Sequence, residues 1–314
     1  MAIDRRGLWA DPQTAREVLE SSGDRADAVV RFEGSERLDG RLLDGSVDVV
    51  FPILHGPYGE DGTVQGLLEV LDIPYVGCDH TSSAVCMDKG LSKRLLAQAG
   101  LRTAPWTEVT RTTWGSAPEE GRRRMLELGL PVFVKPARLG SSVGISKVSE
   151  PERLDQALDE AFAHDERVIV EHGLDAREIE VAVLGDEDPR ASLPGEIVPG
   201  HEFYDYADKY LDDSCQLLAP APLGDELVRQ VRQLALTAYR ALGCDGMARV
   251  DLFLDRHDET LWVNEANTIP GFTAISMYPR LWSLSGLPYS DLLDELTRLA
   301  FARHQRGRTR GRPA

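Results

Sequence analysis

Lysine is scarce in this chain. Of 35 basic residues in 314, only Lys89, Lys93, Lys135, Lys147 and Lys209 are lysines. A sequence so biased towards arginine keeps lysine where a compact, flexible ammonium is wanted, which marks those positions for attention. Positive charge is short as well. The net charge of −17 excludes general affinity for nucleic acid or anionic membrane surfaces. No apolar run approaches the roughly 18 residues that a membrane span needs. The opening MAIDRRGLWADPQ has no apolar core of a secretory signal, so a cytoplasmic protein is expected. Cysteine is sparse and scattered: Cys78, Cys86, Cys215 and Cys244 form no C-x-x-C pair. Reduced, mostly buried thiols are expected of them, rather than a disulfide or metal set. Basic residues crowd only into RHQRGRTRGRPA at Arg303–Ala314, which reads as a disordered, solvated tail.

The length allows two or three packed units. Val47–Leu54 is a continuous apolar run, as expected of a strand buried on both faces. After the Gly-rich turn HGPYGEDG come helices expected over Thr63–Leu71 and about Ser83–Ala99, the latter closed by Gly100. A middle unit follows, with a helix near Pro118–Leu128, strands at Val132–Lys135 and Ile145–Val148, and a helix from Pro151 to about His164. The third unit opens on the strands VIVEHG and EIEVAVLGD. It continues through an irregular stretch (Pro199–Pro222), a helix near Asp225–Leu242, strands at Met247–Asp255 and Leu261–Glu265, and a C-terminal helix. Such blocks suggest α+β units beside an α/β domain.

Five stretches carry chemistry. In VKPARLGSSVG, Lys135 ends a strand and is followed by a turn with Ser141 and Ser142, whose N–H groups and hydroxyls could close over a triphosphate; an ordinary flexible turn is the plainer alternative. MARVD and VNEAN put Asp251, Glu265 and Asn267 on adjacent strands among apolar neighbours. Such hard oxygen donors suit magnesium, against the alternative of a solvated strand face. Glu171 and Glu178 flank a strand connection and, by themselves, read as two surface glutamates. FYDYADKY (Phe203–Tyr210) carries three tyrosines, a phenylalanine and Lys209, and reads either as a lid over a ligand or as a packed loop. In NTIPGFTAISM, Gly271 lets a backbone N–H approach a ligand, and Ser276 falls near a helix start that attracts a carboxylate.

Taken together, HGPYGEDGTVQGLLE, MDKGLSKRLL, VKPARLGSSVGISKV, FYDYADKY, ARVDLFL and NEANTIPGFTAISMYPRLW resemble, in order and spacing, the D-alanine–D-alanine ligases of the ATP-grasp superfamily. The resemblance covers nearly all of Met1–Ala302. It implies an ATP-grasp fold built from α/β and α+β units: a shortened N-terminal α/β domain (1–80), a central subdomain (81–170), a C-terminal subdomain (171–302) and the tail (303–314). It implies ATP contacts at Lys89, Lys135, Ser141, Ser142 and Lys209, with Glu171, Glu178 and the backbone near Leu174 at the base and ribose. Two magnesium ions, or manganese in their place, would bind Asp251, Glu265 and Asn267. Arg249 and the Gly271 N–H would meet the oxyanion, Ser276 and the Met277 N–H the second carboxylate, and His55 the second amine. Ser141 and Tyr210 would link turn and lid. A homodimer is implied, with D-alanine and ATP as ligands. Family members also open with a G-G-x-S-x-E-H-x-V-S loop whose glutamate orients the first D-alanine. That loop is not in this sequence, so a central strand of the first domain is expected to be missing. Two alternatives stay open: an ATP-grasp ligase for another D-amino acid or natural product, and an impaired ATP-binding paralogue.

Overall fold

The apolar run Val47–Leu54 makes no extended strand. In the computed structural model, which describes residues 42, 44–140, 143–198, 216–273 and 276–309, it pairs through one parallel bridge, Val50 with Tyr75. A continuous apolar run signals burial, not partnership. Here helix α1 (Thr63–Val70) contributes to the burial, with Val64 and Leu68 packed against Ile73, Tyr75 and the rim residues Val47 and Val50. The single helix expected over Ser83–Ala99 is two, α2 (His80–Met87) and α3 (Lys89–Gln98). Asp79 accepts from the Ser82 N–H at 2.7 Å and Asp88 from the Leu91 N–H at 2.9 Å. The second N-cap aspartate restarts the helical ladder. Gly100, left-handed at φ 77°, follows the end of α3 as expected.

The next elements are β1 (Trp106–Thr110), α4 (Arg111–Ser116), α5 (Pro118–Leu126), β2 (Val132–Pro136), β3 (Ser146–Val148), α6 (Leu154–Phe162) and β4 (Arg167–His172). The strands form an antiparallel sheet in the order β1-β4-β2-β3. Val132, Val134, Val168 and Val170 share one face and bury it under Leu154, Leu158 and Phe162 of α6. By the period of two, Lys135 and Glu171 lie on the opposite face. The strand VIVEH is therefore part of this sheet. It does not open the third unit, and the expected division at residue 171 falls inside β4, whereas the chain changes sheets after His172.

A second antiparallel sheet holds β5 (Ala176–Leu184), β6 (Arg190–Ala191), β7 (Gly195–Val198), β8 (Gln216–Leu218), β9 (Met247–Asp255) and β10 (Leu261–Asn267) in the order β10-β9-β5-β7-β8, with β6 on β5. The two-residue β6 and the short β7 and β8 give little sequence signal, and β8 lies inside the stretch expected to be irregular. Ile179, Val181, Val250, Leu252 and Leu254 bury one face against α7 (Asp225–Ala241), through its Val231, Ala235 and Tyr239. On the other face, Ala182, Leu184 and Met247 pack on α8 (Met277–Leu284) and α9 (Tyr289–Thr309).

The expectation of a disordered tail from Arg303 is corrected as far as Thr309, where α9 ends. Arg303 is held there: it donates to Tyr75 O at 2.7 Å and to Gly77 O, pairs with Asp245 at 3.0 Å, and lies 4.2 Å from the centre of the Tyr75 ring. Nearby, three free, buried thiols gather. Cys86 Sγ is 3.6 Å from Cys244 Sγ, and Cys78 Sγ donates to Met247 O at 3.3 Å. Hydrogen bonding among these thiols, together with burial, pushes the Cys244 thiol well above its usual range. Cys215 lies outside the described residues.

Candidate active site

Lys89 and Lys93 stand one turn apart on α3, so both face the same side of the helix. Lys89 Nζ donates to Leu139 O at 2.8 Å and is 3.8 Å from Glu265 on β10. Lys93 is 2% exposed, and its ammonium lies 3.3 Å from Glu171 Oε1, an ion pair without the direction of a hydrogen bond. Lys135 donates to the other oxygen, Glu171 Oε2, at 2.8 Å. Burial alone would raise the Glu171 carboxyl, but the Lys135 and Lys93 ammoniums outweigh it and hold the group at about 2. Burial draws the Lys93 ammonium below its ordinary value, with Glu171 opposing. Burial also works to lower Lys135, where Glu171, Glu265 and Glu178 prevail and leave it raised. Glu171, which the sequence presents as a surface residue, is thus the buried hub of the lysines. Glu178 sits on β5, opposite Ile197 and Phe253, and Leu174 lies half-buried in the β4–β5 connection.

The second sheet supplies a row of acids. Glu180 on β5 pairs in register with Asp251 on β9, and Asp251 with Glu265 on β10, so three carboxylates run across neighbouring strands. Like charges directly opposite repel, and Arg249 answers two of them. Its guanidinium meets both Asp251 oxygens at 2.7 Å and Glu180 at 3.1 Å. Burial opposes its charge, yet Asp251 and Glu180 hold Arg249 well above its ordinary value. Asn267 sits beside Arg249 in the register, with its Oδ1 accepting from the Ile269 N–H at 3.1 Å. Among the described residues, no group of three or more His, Cys, Asp and Glu is gathered for a metal. The expected set, the carboxylates of Asp251 and Glu265 with the Asn267 amide oxygen, is of the hard-donor type that magnesium takes together with phosphate and water oxygens. It does not fit a closed protein cage.

The remaining expected residues make contacts of their own. His55 Nδ1 is 3.8 Å from Glu60, whose carboxylate accepts from the Gly56 N–H. A side chain at Gly140 would meet that carboxylate at 3.6 Å, so Glu60 abuts Gly140. Ser276 is the N-cap residue of α8 without capping it. Its Oγ accepts from the Thr273 N–H at 3.0 Å, and Met277 begins the helix. A Cβ at Gly271 would stand 2.8 Å from that same Oγ, so a side chain there would require the Ser276 hydroxyl to shift. Ser141, Ser142, Lys209 and Tyr210 lie outside the described residues. The sequence reading passed over Lys93 and Glu180. The scarcity of lysine was a signal for the first; no local signal pointed to the second, whose importance lies in register.

Known proteins are similar to this chain over most of its length. The profile described as D-ala D-ala ligase C-terminus matches residues 95–298, and that described as D-ala D-ala ligase N-terminus matches residues 1–78. A D-alanine--D-alanine ligase from Thermoanaerobacter sp. (strain X514) is 56% identical over 82% of this chain and 72% of its own length. D-alanine--D-alanine ligase A of Salmonella typhimurium is 52% identical over 97% of this chain and 86% of its own. Among solved structures, the D-alanine-D-alanine ligase from Coxiella burnetii superposes with a TM-score of 0.75 at 42% identity, covering 83% of this chain and 70% of that one. The VanG D-Ala:D-Ser ligase from Enterococcus faecalis gives 0.73 at 42% identity, over 81% and 73%.

Proposed function

The chain belongs to the D-alanine–D-alanine ligase family, with the ATP-grasp fold of that family, and from this premise we infer that it joins two D-alanines using ATP. The observation that carries the reading is the meeting of α3 with both sheets: Lys89 lies 3.8 Å from Glu265 on β10, and Lys93 on the same helix joins Lys135 on β2 at Glu171 on β4. Lys89 and Lys135 hold the phosphates, with Ser141, Ser142 and Lys209 contributing from the turn and lid. Glu171, Glu178 and the Leu174 backbone hold base and ribose. Asp251, Glu265 and Asn267 hold magnesium, or manganese in its place, which supplies charge neutralisation to the transferred phosphoryl group.

The first D-alanine's carboxylate attacks the γ-phosphorus and ADP leaves, giving an acyl phosphate. The second D-alanine's amine, beside His55, then attacks the acyl carbon. Arg249 and the Gly271 N–H receive the developing oxyanion, a role worth ~3 kcal/mol per donor. Ser276 and the Met277 N–H hold the second carboxylate, Ser141 and Tyr210 link turn to lid, and phosphate departs as the peptide bond forms. The product suits peptidoglycan precursor synthesis by a cytoplasmic homodimer. The test is ADP release coupled to D-alanine. An unreactive chain that still binds Mg-ATP would make it an impaired paralogue.

Likeness to a D-Ala:D-Ser ligase favours one second reading, with D-serine as the second substrate. Mass spectrometry of products from mixed D-alanine, D-serine and D-lactate separates the two. D-Ala–D-Ala is expected to dominate, and a predominance of D-Ala–D-Ser would replace the first reading.

A further inference from the structure

Glu171 carries two ammoniums where one would balance it. Lys135 holds one oxygen at 2.8 Å and Lys93 stands 3.3 Å from the other. The two lysines differ in freedom. Lys135 is 13% exposed, at the end of β2 near the Gly-Ser turn, whereas Lys93 is 2% exposed and its ammonium has no hydrogen-bond partner among the described residues. Among the described residues, Lys93 has one carboxylate within ion-pair reach, Glu171. A lone carboxylate this deep is costly to leave unpaired. If Lys135 were its only counter-ion, turning Lys135 to a nucleotide phosphate would strand the charge at Glu171.

We propose that Lys93 is a positioning residue: the permanent counter-ion of Glu171 that frees Lys135 to leave it for the nucleotide's phosphates. This rests on the reading of the cleft as an ATP site. Lys93 itself touches no nucleotide. It acts through Glu171, so its importance exists only while Glu171 is charged.

The dependence on Glu171 supplies the experiment. Binding of a non-hydrolysable ATP analogue with magnesium is measured by calorimetry for the full chain and for Lys93→Met, Glu171→Gln and the double variant, with melting followed in parallel. Lys93→Met is expected to weaken binding by ~10-fold or more, since Lys135 stays locked on Glu171. The double variant is expected to bind within about threefold of Glu171→Gln, because an uncharged residue at 171 needs no counter-ion. Unchanged binding by Lys93→Met overturns the proposal. So does a double variant far weaker than Glu171→Gln, which would mean that Lys93 serves the nucleotide directly or serves only the fold. Should Lys93→Met fail to fold, the comparison of Glu171→Gln with the double variant decides alone, since replacing both members of a buried pair is milder than breaking it. An unmutated chain that does not bind the analogue would count against the ATP reading itself.

Discussion

Glu265 faces Asp251 directly across two antiparallel strands, with Lys89 3.8 Å away and the Arg249 fork on the Asp251 side. An acid held opposite another acid costs stability that a purely structural position would not retain. Glu265→Gln keeps the shape and removes that repulsion. Its melting temperature is expected to match or exceed the parent's, while D-alanine-dependent ADP release falls ~100-fold or more as one charge of the proposed metal set is lost. Parental turnover in the variant would remove Glu265 from that set. Arg249 belongs to the same locality. Lysine in its place keeps a charge but cannot span both Asp251 oxygens and Glu180. Arg249→Lys should lower dipeptide formation by about 10- to 100-fold at saturating substrate, since one oriented oxyanion donor is misplaced. A fall confined to KM would place Arg249 in binding instead.

Helix α3 begins where Asp88 stops α2, and that aspartate has two tasks. It caps the Leu91 N–H and receives the Arg167 guanidinium at 2.6 Å. Asp88→Ala should lose about 1 kcal/mol from the cap and more from Arg167, left without one of its acids. Because Lys89 is the first residue of α3, the KM for ATP should rise together with the loss of stability. Denaturant melts beside ATP titrations test this, and a stable variant with normal KM would contradict it. The break at Asp88 was invisible to periodicity, since the apolar pattern runs through it, although the aspartate itself was there to be read as a cap. Strands such as Met247–Asp255 were legible because burial alternates with a period of two from Ala248 to Asp255. Which sheet a strand joins was not legible: VIVEH reads alike beside either neighbour, and only its pairing with β1 and β2 settles it. Lys135 and Asp251 stood out by residue type and spacing, and Lys89 only through the family resemblance. The burial of Glu171 and the alignment of Glu180 with Asp251 arise from register, which no local window contains. The basic end was misjudged for a similar reason, as Arg303 finds its carbonyls and Asp245 more than fifty residues away.

Across the molecule, the half-buried Asp245 and the buried Glu171 set opposing responses to pH. Burial chiefly raises Asp245 from 3.8 to about 6, with Asp79 and Asp186 adding to it and Arg303 opposing. The folded chain therefore holds an extra proton between those values, so this group's stabilisation is present at low pH and declines as pH rises through that window. Glu171 runs the other way. Its carboxyl falls from 4.5 to about 2, and its contribution is present above 4.5 and lost as pH falls towards 2. Asp245→Asn should flatten the decline in urea midpoint between pH 4 and 6, and an undiminished slope would take Asp245 out of the account. The three thiols lie along the same seam, where Cys78 and Cys86 meet Cys244 beneath the Arg303 clasp. A bulky thiol reagent cannot reach them until that seam parts, so their labelling is a stopwatch for its opening. With Cys215→Ser to silence the fourth, the three should be consumed with one shared time constant if the first segment, the turn before β9 and the last helix separate as a unit. Arg303→Met should shorten that time, because the stitch through Tyr75, Gly77 and Asp245 would be cut. The chain thus carries its own clock for the moment at which its last helix lets go of Tyr75 and Gly77.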